Sequence, residues 1–184
     1  MTTSADEQSV QALGTGLRRL LAELRDTMKS RHNRRVSIPD LLSDRWENAR
    51  HYGFGEGSSC YDNVLILGAV RVGKHTWVGP NVVLDGSGGG LSIGDHCSIS
   101  AGVQIYTHHT VRRATSLGVA PIDTAPTVIG DGVYIGPNSV IQMGTHIGDR
   151  AIIGAMSFVN RDVPADAQVV GVPARTIKQA DIND

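Results

Sequence analysis

The fold is decided by a repeat that is clearest from Ile129 to Asn160, where the sequence reads IGDGVY, IGPNSV, IQMGTH, IGDRAI, IGAMSF and VN. Each block of six starts with an aliphatic residue, and glycine usually follows it. A period of six fits no helix. It fits a parallel β-helix, in which three short strands and three corners complete one triangular coil. The repeat therefore predicts an all-β solenoid whose aliphatic side chains point inward.

The same period extends back towards the N-terminus, with two interruptions. Counting in threes assigns its members in turn to three faces, which we name A, B and C. The twelve aliphatic positions, in order, are Val72, Val78, Leu84, Ile93, Ile99, Ile105, Ile129, Ile135, Ile141, Ile147, Ile153 and Val159. Glycine follows seven of the twelve, which predicts that glycine turns the corners, where its conformational freedom is useful.

Both interruptions follow a face-C position. Three extra residues fall within 86–91, and 18 extra residues form an excursion at roughly 110–127. Because strands of adjacent coils lie about 4.8 Å apart, the count places Asp85 near Tyr106 and the residues after Asp85 near His108. Irregular sequence that leaves a regular scaffold at one corner predicts the functional site there.

Two adjacent histidines, His108 and His109, stand beside the longer insertion. Imidazole titrates near neutral pH, so either could act as a general base, and either could ligate a metal ion. A capped corner with exposed imidazoles is the third interpretation. His75, His96 and His146 do not stack on face C beside His108, so we predict no metal site within one chain.

Composition limits the partners and the compartment. Lys and Arg number 17 against 18 Asp and Glu, which argues against a protein that holds a nucleic acid. Cys60 and Cys97 could form one disulfide, but two reduced, buried thiols are the favoured interpretation. The sequence has no signal-peptide pattern and no run of the roughly 20 apolar residues that a membrane span needs, so we expect a cytoplasmic protein.

The N-terminal region has a helical pattern instead. Apolar residues from Val10 to Met28 recur at helical spacing and predict an amphipathic helix, followed by a second helix from Pro39 to Asn48. Its basic residues could contact a membrane or nucleic acid, although a solvated face on a packing helix is the simpler interpretation. We expect a helical extension over 1–60, a β-helix domain over 61–178 and a tail over 179–184.

Beyond the repeat, two segments carry a family resemblance: IGAMSFVNRDVP at 153–164 and GVPAR at 171–175. With the repeat, they resemble the hexapeptide-repeat acyltransferases, most closely the sugar O-acetyltransferases of polysaccharide and lipopolysaccharide synthesis. The resemblance implies a left-handed parallel β-helix and a homotrimer with active sites at subunit interfaces. It also implies direct transfer of the acetyl group of acetyl-CoA to a sugar hydroxyl, assisted by a histidine base.

The resemblance also implies roles for individual residues. His108 matches the base, with His109 as the alternative because relatives usually have aspartate there, and Asp85 could orient the imidazole. The positions that match acetyl-CoA-binding residues are Tyr134, Gly136, Ala155, Asn160, Arg161, Pro173, Arg175 and Lys178. The candidates for acceptor binding are Asn81, Ser87, Tyr106, Arg112 and Arg113. The rival functions are N-acetylation of an amino sugar, a γ-class carbonic anhydrase-like metalloenzyme and a non-catalytic assembly β-helix.

Overall fold

The computed structural model describes the backbone of residues 5–179 and the side chains of residues 6–177. It contains two compact units, one ending at Asp44 and the other beginning at Arg45. The first unit consists of α1 (Ala5–His32) and α2 (Ile38–Leu42). The two helices pack against each other, and Leu41 of α2 is buried.

The second unit begins with α3 (Arg45–His51), and Ala49 of this helix joins the core of the solenoid. The single helix expected from Pro39 to Asn48 is therefore two helices, because the backbone of Ser43 is extended (φ −115°, ψ 144°). Residues 45–60 belong to the second unit by their packing, although their composition grouped them with the extension.

The rest of the second unit is a solenoid of short strands with one more helix, α4 (Val111–Thr115). The strands are β1 (Ser59–Cys60), β2 (Leu65–Val72), β3 (Trp77–Val78), β4 (Val83–Ile93), β5 (Ser98–Ile99), β6 (Gln104–Ile105), β7 (His108–His109), β8 (Asp123–Thr124), β9 (Thr127–Ile129), β10 (Tyr134–Ile135), β11 (Val140–Ile141), β12 (His146–Ile147), β13 (Ile152–Ile153), β14 (Phe158–Val159), β15 (Ala167–Val170) and β16 (Arg175–Gln179).

Parallel pairing between successive coils confirms the three predicted faces. On face A, Val72 pairs with Ile93, Ile93 with Ile129, and Ile129 with Ile147. Faces B and C follow the same register through every predicted member. The twelve aliphatic side chains are all buried. The result is a left-handed parallel β-helix with an aliphatic core.

The glycines that follow the aliphatic positions have a different role from the predicted one. Positive φ occurs three residues after the aliphatic position, as at His75 (φ 53°) and Gly132 (φ 66°), and at none of the seven glycines. A Cβ on Gly130 would lie 2.8 Å from the backbone nitrogen of Asp149 in the next coil. Glycine is therefore needed there because the coils approach closely, and other residues make the turn.

The two insertions also differ from each other. The longer one forms the expected excursion, in which β7 and β8 pair antiparallel and α4 lies between them in the chain. The shorter one does not leave the solenoid. Instead, β4 crosses the corner between faces C and A as one strand and pairs with β2, with a shift of register between Gly68 and Val70. Residues 87–90 have no partner in β2, and Gly89 (φ 125°) and Gly90 (φ 97°) have positive φ, so the three extra residues form a bulge within β4.

Candidate active site

The corner between faces C and A brings together the two segments that the count placed side by side. Asp85 and Ser87 lie in β4, and His108 begins β7 in the next coil. The backbone N–H of Gly88 donates a hydrogen bond to Oγ1 of Thr107 over 2.8 Å, which joins the two segments. A Cβ on Gly88 would lie 2.6 Å from the carbonyl carbon of Thr107, so this approach requires glycine.

Asp85, Ser87 and His108 form a compact polar group at this corner. Oδ2 of the fully buried Asp85 lies 2.6 Å from Nδ1 of His108, whose side chain is 31% exposed. Oδ1 of Asp85 accepts hydrogen bonds from the backbone N–H of Ser87 at 2.9 Å and from its hydroxyl at 2.5 Å. The same hydroxyl lies 3.2 Å from Nδ1 of His108. Asp85 thus lies on the Nδ1 side of the ring, although its Oδ2 makes no aligned hydrogen bond within the described residues, and Nε2 is left for a ligand.

The surroundings of Asp85 keep its carboxyl group ionised. Burial raises its pKa, but the two hydrogen bonds from Ser87, together with the charge and hydrogen bond of His108, lower it by more. The net effect is a pKa below the ordinary value for aspartate. A buried carboxylate beside an imidazole stabilises the protonated ring and fixes its orientation.

His109 faces a second carboxylate, that of Asp123. Its Nδ1 lies 3.5 Å from Oδ2 of Asp123 and forms no hydrogen bond within the described part of the chain. Nε of Arg112 donates to both oxygens of Asp123, at 2.7 and 3.0 Å. This hydrogen bonding lowers the pKa of Asp123, burial opposes it, and the charges of Arg112 and His109 lower the pKa further. The carboxylate beside His109 is therefore mainly engaged by Arg112.

The other acceptor-site candidates lie around this corner and at the next one. Tyr106 is half-buried, and its hydroxyl donates to Oε1 of Gln104 over 2.7 Å. Arg113 is exposed on α4. Asn81 lies at the corner between faces B and C with φ 57°, and its Oδ1 accepts a 2.9 Å hydrogen bond from Asn63. Asn81 therefore has a structural role in its turn, away from His108.

Three of the residues matched to acetyl-CoA binding line one cavity of about 160 Å³, and these are Asn160, Arg161 and Arg175. Arg161 and Arg175 are exposed, so both guanidinium groups are accessible to an anion. The cavity begins beside Val159, which pairs with Ile141 and through it with Ile105 on face C. It therefore lies two coils along the solenoid from the coil that carries His108.

The remaining matched residues lie elsewhere. Gly136 and Ala155 stack at the corner between faces B and C, where a Cβ on Gly136 would lie 2.5 Å from the backbone nitrogen of Ala155. Tyr134 is exposed on the strand that leads to this corner. Pro173 is exposed before β16, and Lys178 lies in β16 with its side chain outside the described residues. The candidates thus divide between two corners of the chain.

Two residues of the site were not singled out from the sequence. Asp123 contacts both His109 and Arg112, but it lies in an insertion that has no period, so no register could place it. Thr107 is fully buried and accepts the hydrogen bond that joins the two segments. The available signal for Thr107 was its place beside His108 in the run that stacks on β4.

The described residues contain neither a metal-binding cluster nor a membrane-spanning helix. Among the described side chains, no three or more histidine, cysteine, aspartate or glutamate residues are grouped so that they could hold a metal ion. Within the same part of the chain, we find no helix with the length and apolar character that crossing a membrane requires.

Comparison with known proteins defines the family. The family model "Bacterial transferase hexapeptide (six repeats)" matches residues 126–161, and "Hexapeptide repeat of succinyl-transferase" matches residues 69–107. A hexapeptide-repeat-containing acetyltransferase from Vibrio cholerae, known from its crystal structure, shares 32% sequence identity with this chain. The two structures superpose with a TM-score of 0.63, and the match covers 96% of this chain and 94% of the other. The chain belongs to the hexapeptide-repeat acyltransferase family.

Two relatives of this hexapeptide-repeat protein have names that state different acceptors, one an O-acetyltransferase and the other an N-acetyltransferase. The galactoside O-acetyltransferase of Escherichia coli (strain K12) is 32% identical over 133 residues, which cover 61% of this chain and 64% of the relative. The 2,3,4,5-tetrahydropyridine-2,6-dicarboxylate N-acetyltransferase of Staphylococcus aureus (strain JH9) is 47% identical over 62 residues, 34% of this chain and 26% of the relative. Each alignment spans less than two thirds of the relative.

Proposed function

We propose that this protein transfers the acetyl group of acetyl-CoA to a hydroxyl of a sugar or sugar-containing acceptor, with His108 as the general base. The observation that carries the proposal is the 2.6 Å contact between buried Asp85 and Nδ1 of His108, beside the excursion. Family membership and the 32% identity to a galactoside O-acetyltransferase support the reaction class and the acceptor class.

In the proposed reaction, Asp85 accepts the Nδ1 proton of His108, so the lone pair lies on Nε2. Nε2 takes the proton of the acceptor hydroxyl while the hydroxyl oxygen attacks the carbonyl carbon of the thioester. When the tetrahedral intermediate collapses, the C–S bond breaks and the imidazolium returns its proton to the thiolate of CoA. The ionised Asp85 stabilises the imidazolium between these two steps.

Two observations favour His108 over His109 as the base. The carboxylate beside His108 is fully buried and in direct contact at 2.6 Å, whereas the contact between His109 and Asp123 is 3.5 Å. Asp123 is also neutralised by Arg112. A carboxylate that is already paired with a guanidinium stabilises a neighbouring imidazolium less.

For acetyl-CoA, we propose that Arg161 and Arg175 bind phosphate groups of the nucleotide end, because guanidinium groups form bidentate, charge-assisted hydrogen bonds with phosphate. Asn160, Pro173 and Lys178 would complete this end. Tyr134, Gly136 and Ala155 would line the pantetheine arm. Because these residues divide between two corners of one chain, the proposed assembly is a homotrimer in which neighbouring subunits complete each site.

For the acceptor, we propose that the sugar binds between Ser87, Tyr106 and the excursion. Arg113 forms no ion pair within the described residues, so its charge is available to an anionic group on the acceptor. Arg112 is held by Asp123, so we expect it to shape the excursion rather than bind the acceptor directly. Asn81 would contribute only from a neighbouring subunit.

The second candidate is transfer to an amine of an amino sugar. The 47% identity over 62 residues to an N-acetyltransferase favours it. The same base would serve, since Nε2 of His108 can remove a proton from an attacking amine as well as from a hydroxyl.

Release of the CoA thiol with a panel of matched hydroxyl and amino sugars tests both candidates. We expect turnover with hydroxyl acceptors, loss of turnover in His108→Ala and substantial retention in His109→Ala. Preferential turnover of amino sugars would replace the first candidate by the second. Wild-type activity of His108→Ala with a confirmed acceptor would contradict the mechanism for both.

A further inference from the structure

The helix α1 carries an apolar stripe that is exposed over its N-terminal half. Val10, Leu13, Leu17 and Leu20 lie on one face at helical spacing, and they are 69%, 75%, 51% and 46% exposed. Further along the same stripe, Met28 is half-buried. A packing helix would bury the whole stripe, so its exposed part requires another explanation.

A basic cluster lies at the other end of the same unit. Between Arg18 and Arg35 the chain has seven Lys and Arg residues against two Asp and Glu. A cavity of about 240 Å³ between α1 and α2 is lined by four cations and one carboxylate, and these are Arg25, Lys29, Arg34, Arg35 and Asp26. Within the described residues, these four cations form no ion pair. Unpaired cations around one cavity are suited to an anionic ligand such as phosphate.

We infer that the first unit binds the surface of an anionic phospholipid bilayer. Leu13, Leu17 and their neighbours would enter the boundary between headgroups and acyl chains, and the basic cavity would hold lipid phosphate. Amphipathic helices with leucines on one face and arginines beside them bind at such membrane surfaces. Clusters of four to eight Lys and Arg residues on amphipathic helices add electrostatic attraction to anionic headgroups.

Two other occupants fit the observations less well. A second copy of α1, from another subunit of the proposed trimer or from a separate molecule, would cover the stripe, but the stretch from Val10 to Leu20 is only about 15 Å of helix and offers little area for an interface of its own. It would also leave the four cations with only the Asp26 carboxylate as a counter-charge in the cavity. A nucleic acid would neutralise the cations but would leave the leucines in water. A lipid surface satisfies both groups.

Co-sedimentation of the full chain with vesicles tests this inference, using phosphatidylcholine alone or phosphatidylcholine with phosphatidylglycerol. We expect binding only to the anionic vesicles, and weaker binding at high salt. Leu17→Gln should weaken binding about tenfold, because it removes a leucine from the face of α1 that would enter the bilayer. The double variant Arg34→Gln/Arg35→Gln should weaken it about 25-fold, at about fivefold for each charge.

Two matched variants serve as controls. Arg150→Gln removes a cation of the second unit that is paired with Asp166 at 2.6 Å, and Leu117→Gln removes a leucine that is 95% exposed outside the first unit. Both should bind anionic vesicles like the wild type. Equal binding to neutral vesicles, or no binding by the wild type, would overturn the inference. A smaller mass for Leu17→Gln in light scattering, with no vesicle binding by the wild type, would assign the stripe to a second copy instead.

Discussion

The Asp85→Asn variant separates the charge of the buried carboxylate from its shape. The amide oxygen can keep both hydrogen bonds that Ser87 now donates, at 2.9 and 2.5 Å. The amide NH₂ would replace the oxygen that lies 2.6 Å from Nδ1 of His108. A donor at this position favours the tautomer in which Nδ1 accepts and Nε2 carries the proton. The nitrogen proposed as the base would then already be protonated.

Two effects set the size of the expected loss. An outer carboxylate that supports a functional histidine is worth about 10–100-fold, and a substitution that enforces the wrong tautomer of a catalytic histidine reaches about 10⁴-fold. His108 is 31% exposed, so solvent can partly compensate for the lost charge. We therefore expect kcat/KM to fall about 10²–10³-fold, which corresponds to about 3–4 kcal/mol in the barrier.

The assay is the steady-state release of the CoA thiol with a confirmed acceptor. The KM for acetyl-CoA should stay unchanged, because Asp85 lies three coils from the cavity lined by Arg161 and Arg175. Asp123→Asn, which alters the carboxylate beside His109, is the matched control and should lose little activity. The reasoning is refuted if Asp85→Asn retains wild-type kcat/KM, or if Asp123→Asn loses as much.

Gly130→Ala should lower the free energy of unfolding in urea by about 2–4 kcal/mol, because its Cβ would meet the backbone of the next coil. Gly16→Ala, where a Cβ meets nothing within 4 Å, should instead stabilise α1 by about 0.5–1 kcal/mol. Arg161→Gln should raise the KM for acetyl-CoA about tenfold with little change in kcat, as measured in substrate titrations. Burial and the nearby Asp62 charge raise the pKa of Cys60 to about 12, so iodoacetamide should alkylate it only after unfolding, as mass spectrometry would show. The pKa of Asp85 is lower in the folded state than in the unfolded state. The contribution of this carboxylate to stability is therefore complete above the unfolded pKa of about 3.9 and is lost as the pH falls through the folded pKa. In denaturation curves, the difference in free energy of unfolding between the wild type and Asp85→Asn should narrow below about pH 4.

The sequence allowed the solenoid to be predicted residue by residue because its six-residue period gives every repeat position a place on one of three faces. Once Ile129 is assigned to face A, the residues six and twelve positions later fall on faces B and C, and the pattern then repeats. An insertion only moves the point at which the next six-residue block begins. This is why Asp85 and His108, which are 23 positions apart, could be placed on adjacent coils. The prediction needed no knowledge of side-chain geometry.

The parts that could not be predicted depend on contacts between coils or on aperiodic sequence. The glycine after each aliphatic position looked like a corner residue, but the contact that requires it, such as that between Gly130 and Asp149, involves the next coil. The glycine-rich segment at 86–90 can leave the solenoid as a loop or stay within a strand as a bulge, and the pairing of β4 with β2 on both sides of it decides between them. Asp123 belongs to an 18-residue excursion whose conformation depends on Arg112 and His109.

The bulge by which β4 crosses a corner has a consequence for how this scaffold can diversify. Each coil of a solenoid contacts mainly its immediate neighbours, so three added residues in one coil alter one edge and leave the register of the others intact. Evolution can therefore revise the residues around the base by local insertion, with little loss of stability elsewhere. Acceptor preference and thermal stability should then be separately adjustable traits, and chimaeras that exchange only the excursion between relatives offer a direct route to new acceptors.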